Sequence, residues 1–261
     1  MTIWSESQHY LDHGYAVFDI DLADELAEIR RHFLRTFDEI VSQHGLAAIE
    51  TDADLNRLYR SDNRKLWVAV YDQLPLLPRI SALANHPTVL KVARACGVKF
   101  PALSSRVDVL VNMPTDDPWR YPPHQDYPYD EGSPNAVVIW LPNQDTTIEM
   151  GALQVIPGSH KRGYVPHVTD DSPIKVSIPS VSDDDFVSVP LAADQCVAFS
   201  QFTIHRSGRN LTDRVRFSAQ VRFNDLAEPL YAKRLYTRRV VPFRGELQYE
   251  LEFPASYRFG L

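Results

Sequence analysis

Hydrophobic residues near the start of the chain recur at every third or fourth position, which is the period of an α-helix with one buried face. The repeat runs through Leu22, Leu26, Ile29, Phe33, Phe37 and Ile40. Asp21 stands where an N-cap is expected, and Gly45 would end the helix. Residues 14–18, just before it, are predicted to form a short strand. Residues 46–66 are rich in Asp, Asn and Arg and are predicted to form a loop or an irregular helix.

Two shorter helices are predicted further along, around residues 76–84 and 88–96. The pair His86-Pro87 separates them, because the residue before a proline avoids helical angles. The first hundred residues are therefore predicted to be mainly helical, and they contain no internal repeat.

After Pro101 the hydrophobic period changes to that of a strand, with alternate residues on opposite faces. Val107, Val109 and Val111 share one face of the first predicted strand. Further strands are predicted at 136–141, 152–156, 186–189, 196–199 and 215–223. Short strands in succession are typical of a β-sandwich or barrel. The expected fold class is mainly β with N-terminal helices.

The composition favours a soluble protein with a small-molecule partner. The 261 residues are 44% hydrophobic and 23% charged, enough for one core, and the net charge of -7 disfavours nucleic-acid and anionic-membrane partners. The start shows no targeting signal, and the longest apolar run, 136–141, is too short to cross a membrane. Cys96 and Cys196 are the two cysteines, which fits a reducing cytoplasm. The oligomeric state stays open.

The sequence PPHQDYPYD contains a candidate metal clamp, His124 and Asp126. In a strand, residues i and i+2 point to the same side, so both would reach one ion while Gln125 faces away. One His-x-Asp arises readily by chance in a chain with nine histidines, so the tripeptide alone is a weak signal. His205, after a later apolar strand, is a third candidate ligand. Two imidazoles and one carboxylate suit non-haem Fe(II) and oxygen chemistry, with zinc and a bound water as the competitor.

The strand that follows His205 has one apolar face and one polar, strongly cationic face. The polar face carries Arg214, Arg216, Ser218, Gln220 and Arg222. An arginine inside a barrel is costly unless it meets an anion, and a guanidinium binds a carboxylate through two parallel hydrogen bonds. A dicarboxylate cosubstrate would supply the anion that such an arginine needs. The alternative, favoured for Arg214 and Arg222, is exposure to solvent or pairing with nearby acids. Those acids are Asp194, Asp213 and Asp225.

Several segments in order resemble the phytanoyl-CoA dioxygenase family of Fe(II)- and 2-oxoglutarate-dependent oxygenases, which have a double-stranded β-helix (jelly-roll) fold. They are DVLVNMP, PPHQD, VVIWLPNQDTT, GALQVIPGSHKRG, DQCVAFSQFTIHRSGRN and DRVRFSAQ. Together they cover residues 106–220, and HGYAVFDIDLADEL is similar to the family's opening. The resemblance implies one domain over 1–261. Its parts are a helical support at 1–100, a jelly-roll core at 101–225 and a C-terminal extension at 226–261.

The resemblance implies that His124, Asp126 and His205 bind iron. A carboxylate at 126 differs from the small residue that halogenating relatives carry there, so it implies hydroxylation or a related oxidation. His160, in PGSH, is read as part of a structural turn.

The resemblance also implies a cosubstrate site. Arg216, eleven residues after His205, would bind the distal carboxylate of 2-oxoglutarate, and Ser207 would hydrogen-bond the same carboxylate. Trp140 matches a tryptophan that lines this pocket in some members, although a large aromatic in a strand is usually core. Asn112 matches a polar position on the strand before the metal motif.

Polar positions near the three ligands are predicted to contact the substrate. They are Arg106, Tyr121, Tyr127 and Gln201, with Tyr129 as a further candidate. The segment 161–185 is predicted to be either a lid over the site or a solvent-exposed loop. The basic residues at 233–244 are expected either to attract an anionic substrate or to form a solvent-exposed face.

The expected function is oxidation, by hydroxylation or another outcome, of an unactivated C–H of a small metabolite, with O2 consumed and succinate and CO2 released. One alternative is a cupin-like isomerase or zinc hydrolase, which would use the same ligands without 2-oxoglutarate. A second is a non-catalytic jelly-roll binding protein. Family membership does not imply an acyl-CoA substrate, because function resides in the site.

Overall fold

The computed structural model describes residues 3–115, 120–169 and 176–237. Within these ranges the helices are α1 (Ile3–His13), α2 (Ala23–Gln43), α3 (Asp52–Arg60), α4 (Arg64–Tyr71), α5 (Pro78–Leu83), α6 (Pro87–Ala95), α7 (Tyr127–Asp130) and α8 (Pro229–Lys233). The strands are β1 (Tyr15–Asp19), β2 (Pro101–Leu103), β3 (Asp108–Asn112), β4 (Val137–Pro142), β5 (Leu153–Val155), β6 (Val168–Thr169), β7 (Val176–Ser177), β8 (Val187–Val189), β9 (Gln195–Ser200), β10 (His205–Ser207) and β11 (Arg216–Asp225). Helices and antiparallel strands both contribute substantially, so the fold is mixed rather than mainly β.

Two local predictions for the N-terminal region are corrected. The N-cap of α2 is Leu22, without a side-chain hydrogen bond, rather than Asp21. The stretch 46–66, expected as a loop or irregular helix, contains all of α3 and the start of α4. Helix α3 begins with a capping box in which Thr51 and Asp54 satisfy each other's backbone N–H groups. The abundance of charged residues obscured this short signal.

The strands form two main antiparallel sheets. The larger one has the order β1-β9-β4-β11-β2, and β3 also pairs with β11. The smaller one has the order β10-β5-β8, while β6 and β7 pair with each other. In the larger sheet, strand β11 is central, since it pairs with β3 through Arg216 to Gln220 and with β2 through Phe223 to Asp225.

The larger sheet is covered by helices on one face and by the smaller sheet on the other. On β4, Ile139 belongs to the core cluster that includes the helices, whereas Trp140 belongs to a second cluster with Leu153 and Phe199 between the sheets. The alternation of a strand explains this division, because neighbouring side chains point to opposite faces.

The same alternation on β11 decides where the polar residues lie. Phe217 faces the helices, where its ring lies 5.5 Å from that of Phe33 on α2. Arg216, Gln220 and Arg222 face the space between the two sheets. The helices therefore support the sheet from behind, and the chemistry is confined to its other face.

Within the described residues, no helix has the length and apolar character needed to cross a bilayer. Cys96 and Cys196 are both buried and unpaired.

Candidate metal centre

Three buried side chains from separate parts of the chain meet between the two sheets. His124, Asp126 and His205 offer one ligand atom each, and these atoms lie within 4.8 Å of one another. Asp126 Oδ1 is 3.6 Å from His124 Nε2 and 3.8 Å from His205 Nε2. The spacing and the donor types fit a single ion held on one side by two imidazoles and one carboxylate.

Backbone pairing brings the two histidines together. The N–H of His124 donates to the carbonyl of His205 at 2.9 Å, and the N–H of His205 donates back at 3.0 Å. The strand geometry that would align His124 with Asp126 does not extend beyond this one bridge, because Asp126 has helical angles and precedes α7. The N–H of Asp126 donates to the carbonyl of Gln201 at 2.9 Å, which places the carboxylate beside the histidines.

Gln125 faces away from the cluster, as expected, and ties the ligand loop to the segment beyond Arg162. Its Nε2 donates to the carbonyls of Gly163 at 2.8 Å and Phe202 at 2.7 Å, and its Oε1 accepts from the N–H of Val165 at 2.8 Å. The first part of the 161–185 segment, expected to be either a lid or a solvent-exposed loop, is thus hydrogen-bonded to Gln125. Residues 170–175 lie outside the described residues.

Both ligand histidines have the tautomer that metal binding requires. His124 Nδ1 is 2.7 Å from the carbonyl of Pro122, and His205 Nδ1 is 2.9 Å from the carbonyl of Thr203. A carbonyl only accepts, so each Nδ1 carries a proton, and each Nε2 is the ring nitrogen that faces the centre. Burial and the neighbouring His124 lower the pKa of His205 to about 3. His205 is therefore neutral at neutral pH.

The outer oxygen of Asp126 is held by two residues of β11. Gln220 Nε2 and Arg222 Nε each donate to Asp126 Oδ2 at 2.9 Å, and Arg222 also pairs with Asp108. Burial raises the pKa of Asp126, but Arg222 and the histidines outweigh it and hold that pKa below its usual value. The carboxylate is thus ionised, with Oδ1 left to face the histidines.

Arg222 was missed as a functional residue. It was expected in solvent or beside Asp194, Asp213 or Asp225, and it instead points inward to Asp126. The available signal was the alternation of β11, which puts Arg222 on the same face as Arg216.

Arg216 lies at the start of β11, opposite Asn112 on β3. Its side chain is buried, its Nη1 donates to the carbonyl of Gly151, and its guanidinium carbon is 5.5 Å from the centre of the Trp140 ring. Asn112 Nδ2 donates to the carbonyl of Gly208 at 3.4 Å. The structure therefore brings together the residues expected to bind a cosubstrate.

Two adjoining cavities surround these groups. The inner cavity, about 40 Å³, is lined by His124, His205, Trp140, Ser207, Arg216 and Arg222 among others. The outer cavity, about 370 Å³, extends from Ser207, Asn112 and Arg216 to residues of α3 and α4. Leu110, Tyr121, Ser207 and Arg216 line both cavities, so the outer cavity adjoins the inner one, which contains His124 and His205 in its lining.

The residues predicted to contact substrate have different surroundings. Tyr121 lines both cavities, and its ring lies 5.4 Å from that of His124. Tyr127 is buried and stacks on Phe202 at 4.7 Å, and Gln201 Nε2 donates to the carbonyl of Ser133. Arg106 is exposed, 3.7 Å from Asp108. The last three predicted residues lie outside the lining of both cavities as described.

Two other predicted features lie away from the cluster. His160 is buried in a 3₁₀ turn, with Nε2 3.2 Å from the carbonyl of Leu11. In the basic segment 233–244, Arg234 donates to the carbonyls of Glu131 and Gly132. Residues 238–244 lie outside the described residues.

Solved structures of other proteins have a fold similar to that of this chain. The epimerase SnoN, in complex with Fe3+, alpha ketoglutarate and nogalamycin RO, matches with a TM-score of 0.53, 24% identity, and coverage of 85% of this chain and 83% of that one. EvdO2 from Micromonospora carbonacea var. aurantiaca, complexed with 2-oxoglutarate, matches with a TM-score of 0.51, 18% identity, and coverage of 86% and 93%. These likenesses show a shared fold, and the buried cluster adds donor groups of the kind that can hold a metal ion.

The family follows from the sequence as a whole. The family model Phytanoyl-CoA dioxygenase (PhyH) matches residues 10–218, so the chain belongs to this family. The Phytanoyl-CoA dioxygenase of Arabidopsis thaliana is 36% identical over 98 residues, 36% of this chain and 35% of that protein. Phytanoyl-CoA dioxygenase domain-containing protein 1 of Rattus norvegicus is 25% identical over 148 residues, 53% of this chain and 50% of that protein. The chain thus spans half or less of these two curated relatives.

Proposed function

We propose that this chain is a 2-oxoglutarate-dependent dioxygenase that holds Fe(II) on His124, Asp126 and His205. The observation that carries the proposal is the convergence of two imidazole nitrogens and one carboxylate oxygen in a buried site. This donor set suits non-haem Fe(II) and leaves positions on the metal for other ligands. We also infer that the two antiparallel sheets form the double-stranded β-helix expected from the sequence.

Arg216 is the residue that we propose for the distal carboxylate of 2-oxoglutarate. A dicarboxylate would compensate the charge of this buried guanidinium at the boundary of the two cavities. Ser207 and Trp140 would flank the cosubstrate, and Asn112 would close the site beside Arg216. When bound, iron with 2-oxoglutarate and O2 supplies the oxidation of a substrate C–H, with succinate and CO2 as products.

The outer cavity is the proposed place for a small-molecule substrate, because it adjoins the inner cavity at Tyr121, whose ring lies 5.4 Å from that of His124. The surrounding side chains would position the C–H to be oxidised and exclude bulk water. Hydroxylation is the proposed outcome, because Asp126 fills the position where a halide would otherwise bind.

The proposed function is tested by adding Fe(II) and 2-oxoglutarate to metal-free protein without oxygen. We expect a visible charge-transfer band that requires both components, followed by succinate formation when O2 is admitted. No band, together with zinc-dependent activity, would support the cupin-like alternative. No bound iron, with ligand binding retained, would support a binding protein.

Replacing Arg222 tests whether its hydrogen bond to Asp126 Oδ2 positions that carboxylate for metal binding. We expect Arg222→Met to weaken metal binding by about 10- to 100-fold, the range typical of residues that orient a metal ligand, since Asp126 Oδ2 would lose one of its two donors. Co(II) affinity and the Co(II) absorption spectrum are the measurements, and Arg222→Lys should recover part of the loss.

Arg106→Met is the matched control for Arg222. Arg106 also lies near Asp108, 3.7 Å away, but its side chain is exposed, whereas Asp126 is buried. An unchanged Co(II) affinity and spectrum in Arg222→Met, or an equal loss in Arg106→Met, would contradict the positioning role.

A further inference from the structure

One ion pair joins helices α2 and α3 on the helical side of the larger sheet, next to the start of β11. Arg30 of α2 and Asp52 of α3 form this pair, and their side chains are only 16% and 15% exposed. Both helices belong to the core cluster that also contains Val215 and Phe217, the two neighbours of Arg216 in the chain. The pair therefore lies directly behind the residue that is proposed to bind the cosubstrate.

Asp52 also binds the backbone of the sheet. Its Oδ1 accepts from Arg30 Nη2, and its Oδ2 accepts from the N–H of Val215 at 2.9 Å. Val215 is fully buried and immediately precedes Arg216. A buried N–H that loses its acceptor is costly, so this hydrogen bond strongly favours one position of the chain just before Arg216.

Strand pairing alone does not hold this end of β11. The register with β3 begins at Arg216 and the register with β4 begins at Ser218, so Val215 lies outside both. Side chains hold its peptide groups instead, because Gln144 Nε2 donates to its carbonyl at 2.9 Å while Asp52 accepts from its N–H. The start of β11 thus depends on contacts from outside the strand ladders.

Arg30 contacts the residue on the other side of Arg216. Its guanidinium carbon lies 5.1 Å from the centre of the Phe217 ring, which is fully buried and packs on Phe33. A guanidinium near an aromatic ring is attracted by the negative charge of the ring face. One ion pair therefore contacts the backbone before Arg216 and the ring after it.

The start of α3 fixes the direction of the Asp52 carboxylate. Asp52 is the first residue of the helix, directly after the N-cap Thr51, and the capping box of Thr51 and Asp54 defines this helix terminus. A carboxylate in the first turn is also favoured by the helix dipole. Asp52 is therefore presented to Val215 from a helix end rather than from a loop.

We propose that Asp52, together with Arg30, is a positioning residue for Arg216 and sets the affinity for the distal carboxylate of 2-oxoglutarate; this role deepens the proposed function and rests on it. Neighbouring residues of a strand point to opposite faces, so contacts that hold Val215 and Phe217 on the helical face fix Arg216 on the other. The planar guanidinium then meets a carboxylate with two parallel N–H groups. A small rotation of this strand end would spoil that geometry and leave the metal ligands in place.

The test is an anaerobic titration of the Fe(II) protein with 2-oxoglutarate and with 2-oxopentanoate, which lacks the distal carboxylate, followed by the charge-transfer band. We expect Asp52→Ala to weaken 2-oxoglutarate binding about tenfold and 2-oxopentanoate binding less than about twofold, as is typical when a residue that orients a binding group is lost. Co(II) affinity should stay unchanged, because Asp52 lies on the helical side of the sheet and the metal cluster lies on the other.

Two further variants separate positioning from a general loss of stability. Asp52→Asn keeps an oxygen for the N–H of Val215 but loses the charge that pairs with Arg30, so its effect should be intermediate. Arg30→Met keeps bulk beside Phe217 and should also weaken 2-oxoglutarate binding. Asp52→Ala combined with Arg30→Met should lose less than the sum of the two single effects, because both act through one pair.

Arg216→Met provides the background that isolates the positioning role. In that protein, Asp52→Ala should have little further effect on 2-oxoglutarate binding, because the group that it positions is absent. Glu28→Ala is the matched control, since Glu28 forms ion pairs with Arg31 and Arg35 within α2 itself. Its removal should leave the affinities for both oxoacids unchanged.

Three results would each overturn the positioning role: an unchanged 2-oxoglutarate affinity in folded Asp52→Ala, an equal weakening of both oxoacids, or a loss fully additive with that of Arg216→Met. If Asp52→Ala does not fold, Arg30→Met decides by the same criteria. No charge-transfer band in the unaltered protein would refute the proposed function and this role with it. A band with normal 2-oxoglutarate affinity in Arg216→Met would refute the carboxylate contact on which the role depends.

Discussion

Replacing His205 with alanine is expected to abolish stable iron binding and to lower succinate formation by about 1,000-fold or more, which corresponds to about 4 kcal/mol in the activation barrier. His205 supplies one of the three clustered ligand atoms, and its backbone pairing with His124 would survive because it uses main-chain groups. The side-chain change should therefore remove the ligand without dismantling the site. Iron stoichiometry, the charge-transfer band and succinate release measure the effect.

His44→Ala is the matched control for His205→Ala. His44 is exposed at the end of α2, so its replacement should leave iron binding and turnover unchanged. Nearly one iron per chain in His205→Ala, with more than a tenth of normal turnover, would remove His205 from the ligand set.

Replacing Arg216 with methionine is expected to raise the KM for 2-oxoglutarate by about 30- to 1,000-fold, the effect of losing a buried, charge-assisted pair worth about 2 to 4 kcal/mol. Methionine keeps much of the bulk beside Trp140 but donates no hydrogen bond. Arg216→Lys should restore part of the affinity, since it returns the charge without the planar fork. Initial rates of succinate formation at varied 2-oxoglutarate are the measurement.

An analogue of the cosubstrate distinguishes the loss of the carboxylate contact from a general disturbance of the site. 2-Oxopentanoate lacks the distal carboxylate, so Arg216→Met should change its KM far less than that for 2-oxoglutarate. The control variant is Arg214→Met, because Arg214 is exposed just before β11. Equal losses for the two oxoacids would show that Arg216 acts through structure rather than through that carboxylate.

The predicted strand positions agreed well with the fold because alternation is a local property. The pattern around Val109 and Phe217 placed β3 and β11 within a few residues of their observed bounds. The region 46–66 was predicted poorly, because its buried Leu55, Leu58 and Tyr59 are set among charged residues. That error hid the helices that form much of the outer cavity.

The sequence by itself determined the donor types, the alternation that turns Arg216 inward and the family resemblance, because these depend on residue identity and short spacing. Tertiary structure decided that Arg222 holds Asp126, a partner 96 positions away, and that Arg64 and Trp67 line a cavity next to the one that contains His124 and His205. Those contacts arise from the pairing of strands and the packing of helices over long separations. Local periodicity determines which face a side chain occupies, but not which distant residue it meets there.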